Sequence, residues 1–264
     1  MTTSVLGILW RRLVQFLLPT RCAACQRIGP DIVCQACLDQ LTPVGSAYCL
    51  RCGRRRETDF ILPDCGACHG HNLGVVRARS LLVYQGVGRD LLAEFKFHGN
   101  TGAGYVLGEL LAEWAARGWS TLFDEPAVEI DITVPVPLHK TRQRQRCFNQ
   151  AELLSRLVAR QAGVDCVPGV LRRERPTEAQ VGLTANQRRE NVRGAFGVPE
   201  HARESLAGKR VLLVDDLMTT GATLAACARS LRRGGAAAVY GLTLFSTHRS
   251  IDEQLDASLR RQAL

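Results

Sequence analysis

The sequence is poor in aromatic side chains, in long apolar runs and in acids. Phe, Trp and Tyr make up 6% of its 264 residues, which weakens the case for a dedicated platform that stacks single-stranded nucleic acid. An apolar stretch near the N-terminus, residues 4–18, is too short and too charged to span a bilayer, and no secretory signal is visible. We therefore expect a cytoplasmic protein without a membrane span.

The shortage of acids gives the chain a basic balance. Lys and Arg number 34 against 25 Asp and Glu, which is a formal net charge of +9. This balance favours polyanionic partners, such as phosphorylated metabolites, nucleotides or nucleic acid, and it is equally consistent with a solvated basic surface.

Residues 1–18 form the first predicted unit, an amphipathic helix. Five small or polar residues fall on one helical stripe: Ser4, Gly7, Arg11, Arg12 and Gln15. We expect the apolar face of this helix to pack on the rest of the protein. Binding to a membrane surface is the alternative, and the small number of cationic residues gives it little support.

Cysteine is abundant in the next unit, residues 19–72. Eight of the eleven cysteines form four C-x-x-C pairs: Cys22/Cys25, Cys34/Cys37, Cys49/Cys52 and Cys65/Cys68. Each pair places two thiolates on one side of a tight turn, and two pairs complete a tetrahedral S₄ site. The unit is therefore predicted to be a double zinc ribbon with two structural Zn²⁺ ions. The spacing does not decide whether the pairs combine sequentially or interleave.

Other roles for these cysteines fit the sequence less well. Disulfides need an oxidising compartment, and a redox C-x-x-C motif normally occurs once, beside a βαβ unit. An iron–sulfur cluster is a minor alternative. The three scattered cysteines, Cys147, Cys166 and Cys227, are predicted to be structural.

From about residue 73 the pattern changes to alternating strands and helices. Apolar runs predict strands at 79–84, 130–134, 211–214 and 237–245. Apolar residues three and four apart predict helices at 90–98, 105–117, 149–162 and 220–233. This order predicts an α/β domain with a parallel sheet over residues 73–247, followed by a loose tail at 248–264.

The predicted strand at 211–214 runs directly into two carboxylates, Asp215 and Asp216. A hydroxyl-rich turn with the sequence Thr-Thr-Gly-Ala-Thr, residues 219–223, then opens a helix. Backbone N–H groups at such a turn can hold a phosphate, and the acids can hold sugar hydroxyls directly or through Mg²⁺. The alternative is an ordinary strand-to-helix turn with capping threonines and surface acids.

This stretch resembles the 5-phosphoribosyl-1-diphosphate (PRPP) loop of type I phosphoribosyltransferases. Further matching stretches lie at 95–99, 135–150 and 175–196. Together with the four cysteine pairs, they make nearly the whole chain similar to the ComF family. Members of that family are phosphoribosyltransferase-like proteins with an N-terminal zinc domain, linked in some bacteria to DNA uptake.

The resemblance implies a type I phosphoribosyltransferase fold and a PRPP-like ligand. Asp215 and Asp216 would bind the ribose hydroxyls with Mg²⁺, and the turn formed by Thr219, Thr220, Gly221, Ala222 and Thr223 would hold the 5′-phosphate. The loop at 135–146 would face the pyrophosphate, with Arg142 or Arg146 as its partner. Residues 177–191 resemble a mobile flap over the site, and a disordered basic loop is the alternative.

Two positions depart from the patterns of related proteins. Cys147 stands where the ComF pattern has glycine, so its side chain limits how closely the backbone can approach a ligand. Thr219 stands where purine-salvage relatives carry an acid near the start of the phosphate loop. Because a threonine hydroxyl is a poor general base at neutral pH, purine salvage by that route is not expected.

Two functions are therefore carried forward. As an enzyme, the protein would displace pyrophosphate from C1 of the ribose and transfer the phosphoribosyl group to an unidentified acceptor, mainly by positioning and electrostatics. As a binding protein, it would sense PRPP or a nucleotide, while its ribbons and basic loops contact single-stranded DNA or a helicase-like partner of DNA uptake. Such DNA binding would depend strongly on salt.

Overall fold

The computed structural model describes residues 20–56, 65, 68, 73–139, 143–144, 148–175 and 184–247. The helix predicted at 1–18 and the tail predicted at 248–264 lie outside these residues. Within the described ranges, every helix is too short or too polar to cross a bilayer.

The centre of the molecule is a five-stranded parallel sheet. The strands in chain order are β1 (Ala78–Val83), β2 (Ile132–Pro135), β3 (Asp165–Cys166), β4 (Arg172–Arg173), β5 (Phe196–Gly197), β6 (Arg210–Met218) and β7 (Ala238–Ser246). The sheet has the order β1-β7-β6-β2-β3, while β4 and β5 form a separate antiparallel pair. Strand β6 thus lies in the middle of the sheet, with parallel partners on both sides.

Helices connect these strands and cover the sheet. They are α1 (Gln35–Leu38), α2 (Gly86–Phe97), α3 (Thr101–Ala115), α4 (Trp119–Phe123), α5 (Gln150–Ala162), α6 (Ala185–Asn191), α7 (Arg203–Leu206) and α8 (Ala222–Arg233). Helix α5 has local signals at both ends, because the Asn149 side chain accepts the N–H of Ala151 and Gly163 ends the helix in the left-handed conformation.

Each face of the sheet carries its own apolar core. Successive residues of a strand point to opposite faces, so β6 sends Val211 and Leu213 to one side and Leu212 and Val214 to the other. The first pair packs with α8. The second pair packs with α2, α3 and α5. All four side chains are fully buried, which explains why the strand reads as a continuous apolar run.

The strands and helices predicted within residues 73–247 are present, with boundaries that differ in informative ways. The strand predicted at 211–214 extends over Arg210–Met218, so both acids lie inside the strand instead of after it. The helix predicted at 90–98 begins earlier, at Gly86. Its first turn contains Gly88, where a side chain would meet the ring of Phe245 at 2.7 Å, so tertiary packing overrides the low helix propensity of glycine.

The cysteine-rich unit docks on the outer edge of the sheet. Residues 42–44 pair with the edge strand β1, because the N–H of Val44 donates to Leu81 (3.0 Å) and the N–H of Val83 donates to Thr42 (2.8 Å). Further along, the N–H of Ala78 donates to the carbonyl of Arg51 (2.9 Å). These bonds satisfy backbone groups that an uncovered edge strand would leave exposed.

Candidate functional site

The eight predicted metal ligands gather into two groups of four. One group is formed by Cys22, Cys25, Cys34 and Cys37, and the other by Cys49, Cys52, Cys65 and Cys68. The first pair of the chain therefore combines with the second, and the third combines with the fourth. This sequential pairing resolves the alternative that the spacing left open.

The distances between sulfur atoms fit a tetrahedral zinc site. A Zn–S bond of about 2.3 Å places the four sulfurs of an S₄ site about 3.8 Å apart. The observed separations are 3.7 Å for Cys25–Cys34, 3.6 Å for Cys52–Cys65 and 4.0 Å for Cys49–Cys68. Both clusters are thus shaped for Zn²⁺.

The two acids of β6 lie at its carboxyl end and have different neighbours. Asp216 is on the face that α2 covers, and its Oδ1 lies 2.6 Å from Nζ of Lys96 in an almost buried ion pair. Asp215 is on the opposite face, that of α8. There, burial first and the charge of Asp215 second raise the pKa of the Cys227 thiol. The sequence predicts one functional pair of acids, whereas in the structure the two side chains lie on opposite faces of the sheet and have different neighbours.

The environment of Asp215 favours its protonated form. One of its carboxylate oxygens accepts the N–H of Asp216 at 2.9 Å, a bond that by itself lowers the pKa, but other effects outweigh it. Burial, and next the negative charge of Asp216, raise the pKa of Asp215 to about 7, while the charges of Lys96 and Arg173 act in the opposite direction. A cation brought to this carboxylate would favour the charged form and would compete with that proton.

The turn between β6 and α8 places a glycine in the left-handed conformation at the start of the helix. The Thr220 hydroxyl accepts the N–H of Ala222 at 3.3 Å, and Gly221 begins the helix with a φ of 79°. A side chain at Gly221 would be strained by this φ and would approach Leu73 to 2.9 Å, so only glycine fits. The positive end of the α8 dipole points at this turn.

The structure brings part of the predicted site together. Asp215, Asp216 and the turn at 219–223 share the carboxyl end of the central strand. Arg142 and Arg146 lie outside the described residues, as does Cys147. Near that segment, Nδ2 of Asn149 donates to the carbonyl of Val136 at 3.1 Å, which ties the start of α5 to the end of β2.

Two cations at this end of the sheet were not predicted as site residues. Lys96 lies in the stretch 95–99 that supports the family resemblance, which implies no role for it. Arg54 donates a hydrogen bond from Nη2 to the carbonyl oxygen of Thr219. The sequence gives no local signal for either contact, because Lys96 and Arg54 are far along the chain from their partners.

Comparison with known families defines the class of protein. The model of the double zinc ribbon domain matches residues 13–69, and that of the phosphoribosyl transferase domain matches residues 148–257. The chain thus combines a double zinc ribbon with a parallel α/β domain of the phosphoribosyltransferase type.

Similarity to curated proteins identifies the family. Competence protein F of Haemophilus influenzae is 30% identical over 220 residues, which are 81% of this chain and 92% of that protein. Competence protein ComFC of Bacillus subtilis is 28% identical, over 80% of this chain and 83% of the relative. DNA utilization protein YhgH of Escherichia coli is 30% identical, over 84% and 94%. The chain belongs to the ComF family.

Matches among solved structures have lower sequence identity. Glutamine PRPP amidotransferase of B. subtilis, complexed with ADP and GMP, is 24% identical with a TM-score of 0.34; the match covers 53% of this chain and 25% of that longer chain. Adenine phosphoribosyltransferase of Thermoanaerobacter pseudethanolicus is 18% identical with a TM-score of 0.32, over 57% of this chain and 83% of the other.

Proposed function

We propose that the α/β domain binds PRPP, or a closely related phosphorylated ribose, together with Mg²⁺. One observation carries the proposal: a buried central strand delivers two carboxylates to its carboxyl end and continues directly into a glycine-containing turn and a helix N-terminus. The turn at 219–223 would hold the 5′-phosphate through backbone N–H groups. Asp215 and Asp216 would bind the ribose hydroxyls, and carboxylate oxygens are ligands that Mg²⁺ accepts.

The ion pair between Lys96 and Asp216 supports this assignment. A buried carboxylate needs a compensating charge, and Lys96 supplies it in the protein alone. With Mg²⁺ and the sugar bound at Asp216, the ammonium group of Lys96 would be free to turn toward the negatively charged ligand. Lys96 would then join Arg142 and Arg146 in neutralising the pyrophosphate.

A transfer reaction, if the bound ligand turns over, would break the bond between C1 and the pyrophosphate oxygen and form one between C1 and the acceptor. The bonding electrons leave with the pyrophosphate, where Mg²⁺ and the basic side chains would stabilise them. Thr219 offers no base for the acceptor, so the acceptor would lose its proton elsewhere. The acceptor is not identified by this site.

Ligand binding is tested by thermal unfolding with Mg²⁺ plus PRPP, ribose 5-phosphate or pyrophosphate. At about 100 times Kd, a ligand stabilises the folded state by about 2.7 kcal/mol, which is about 5 °C or more for a chain of this size. The Asp215→Asn/Asp216→Asn protein should show no PRPP shift. Asp165→Asn, which changes an exposed acid at the far edge of the sheet, should behave like the parent. A parent protein without any PRPP shift at millimolar ligand contradicts the proposal.

A second function rests on the names of the relatives and on the net charge of +9. In this version the protein serves DNA uptake or use in the cytoplasm, where reduced thiolates persist, by binding single-stranded DNA or a helicase-like partner. Binding to a labelled oligonucleotide at increasing salt checks it, because each phosphate contact adds about 0.7 to the log–log slope. No binding at low salt excludes the DNA version.

A further inference from the structure

An arginine in the turn of the second zinc cluster contacts the α/β domain. Arg54 follows Cys52 by two residues, and its carbonyl accepts the N–H of Cys49 at 2.9 Å, so its backbone is part of the cysteine turn. The residue is only 7% exposed. A buried guanidinium needs partners, and the described partner of its side chain is the carbonyl of Thr219, in the turn that follows β6.

This contact fixes the orientation of one peptide group in the turn. The peptide bonds of the described residues are trans, so the C=O of Thr219 and the N–H of Thr220 point in opposite directions. Arg54 holds the C=O outward, toward the zinc ribbon. The N–H of Thr220 is therefore directed to the other side of the turn. In an anion-binding loop the N–H groups must point at the anion and the carbonyls away from it.

A second bond acts on the same carbonyl. The hydroxyl of Thr247 lies 3.4 Å from the Thr219 oxygen, and the N–H of Thr247 donates to Met218 at 3.0 Å. The Arg54 bond is charge-assisted and therefore the stronger of the two. The carbonyl is thus held from the ribbon on one side and from the end of β7 on the other.

The packing of the ribbon on β1 fixes the position of Arg54. Gly53 has a φ of 70°, and a side chain there would meet the carbonyl oxygen of Ala78 at 2.4 Å, so the turn lies directly on β1. Arg54 also lies two residues from Cys52, which is a ligand of the second cluster. Four thiolates on one Zn²⁺ leave a net charge of roughly −2, which attracts the guanidinium.

We infer that Arg54 is a positioning residue of the phosphate loop, through which the second zinc cluster supports ligand binding in the neighbouring domain. The inference rests on the proposed PRPP site for its functional consequence. It also predicts an effect on the turn itself, which does not depend on any ligand. Among the described residues, Nε of Arg54 has no hydrogen-bond partner, so the bond to Thr219 is the described side-chain hydrogen bond that a substitution of Arg54 removes.

The test compares Arg54→Met and Arg54→Lys with Arg55→Met. Arg55 is the next residue along the chain and is exposed, so it controls for the loss of one positive charge from the ribbon. We expect Arg54→Met to weaken binding of Mg²⁺-PRPP, measured by calorimetry, by about tenfold or more, since a buried bond to a charged group is lost. The affinity of Arg54→Lys should lie between those of Arg54→Met and the parent. The affinity of Arg55→Met should stay within about twofold of that of the parent.

Hydrogen exchange of the protein without ligand gives the second readout. Peptides covering the turn at 219–222 should exchange about tenfold faster in Arg54→Met than in the parent or in Arg55→Met. Zinc content is measured in every protein. If Arg54→Met loses zinc, the comparison is made with Arg54→Lys, which keeps the positive charge beside Cys52.

The two readouts separate the inference from the proposed function. Parent-like exchange together with parent-like PRPP affinity in both Arg54 variants overturns the inference. A parent protein that does not bind PRPP overturns the proposed function, and the exchange of the ligand-free turn then decides the role of Arg54 by itself. Faster exchange of the turn without a change in PRPP affinity also overturns the inference about Arg54, because the orientation of the turn would then not matter for the ligand.

Discussion

At the scale of single residues, the carboxyl group of Asp215 is the most perturbed part of the candidate site. Its pKa of about 7, raised by burial and next by Asp216, compares with an ordinary value of 3.8. Between these two pH values the folded state keeps a proton that the unfolded chain has released. The free energy of unfolding therefore falls as the pH rises through this window, and it becomes level above about pH 7.

Replacement of Asp215 by asparagine should remove this dependence. From about pH 5.5 to 7.5 we expect the parent to lose about 2 kcal/mol more stability than Asp215→Asn, since each unit of pKa shift corresponds to about 1.4 kcal/mol. Urea unfolding at several pH values, with zinc retained, measures the difference. Asp165→Asn should follow the parent. Parallel curves for Asp215→Asn and the parent would show that the carboxyl titrates normally.

The chemistry of the site residues was predictable, whereas their partners were not. A run of apolar residues followed by Asp215 and Asp216 marks the end of a buried strand in any context. Nothing local marks Lys96 as the partner of Asp216, because this ion pair joins the C-terminal end of α2 to the tip of a strand 120 residues later. The same holds for Arg54 and Thr219, whose contact depends on how the ribbon docks.

At the scale of elements, the ribbon packs directly on the edge strand β1. Gly45 and Gly53 both lie in the ribbon and both have a left-handed φ, 76° and 70°. A Cβ atom added at Gly45 would have no atom of the described residues within 4 Å, whereas one added at Gly53 would collide with the backbone of Ala78 and Arg79. The two glycines therefore share the same backbone conformation and differ in whether they contact β1, so each is a control for the other.

Alanine at these positions should have unequal costs. We expect Gly45→Ala to lower the free energy of unfolding by about 1 kcal/mol, through backbone strain alone. Gly53→Ala should cost about 3 kcal/mol, because the steric clash with β1 adds to the same strain. Denaturant unfolding at constant zinc measures both. Equal costs would mean that the ribbon does not press on the edge strand.

The elements themselves were largely predictable from periodicity. Helix α5 begins and ends where Asn149 and Gly163 indicate, because its caps are local. The start of α2 was missed, since Gly86 and Gly88 favour a turn when only local propensity is considered. The packing of Gly88 against Phe245 supplies the stabilisation that the sequence does not display.

At the scale of the whole molecule, the two zinc clusters pack on different faces of the sheet. Cys22 and Cys37 belong to the core under α2 and α3, and Cys49 and Cys52 belong to the core under α8. The ribbon therefore wraps around the edge of the sheet instead of standing apart from it. The spacing of the cysteines predicts two sites, but the sequential pairing and the division between faces depend on the docking. The domain limits at 19, 73 and 247 stay predictions.

Removal of one ligand from each cluster tests this division. Cys34 and Cys65 are both partly buried, and each packs against the core of its own face. Each change to serine should lower the zinc content from about two to about one per chain. Hydrogen exchange should then increase in α2 and α3 for Cys34→Ser, and in α8 and the turn before it for Cys65→Ser, because each cluster supports only the face on which it packs.

The outcome is decided by where the exchange changes. Faster exchange in the same segments of both variants would show that the ribbon acts as one body, and unchanged zinc content would show that the four sulfurs are not one metal site. Position-specific effects would instead place the second cluster, with Arg54, in direct physical connection with the phosphate loop. The parent and Arg55→Met provide the reference rates, since neither alters a cysteine.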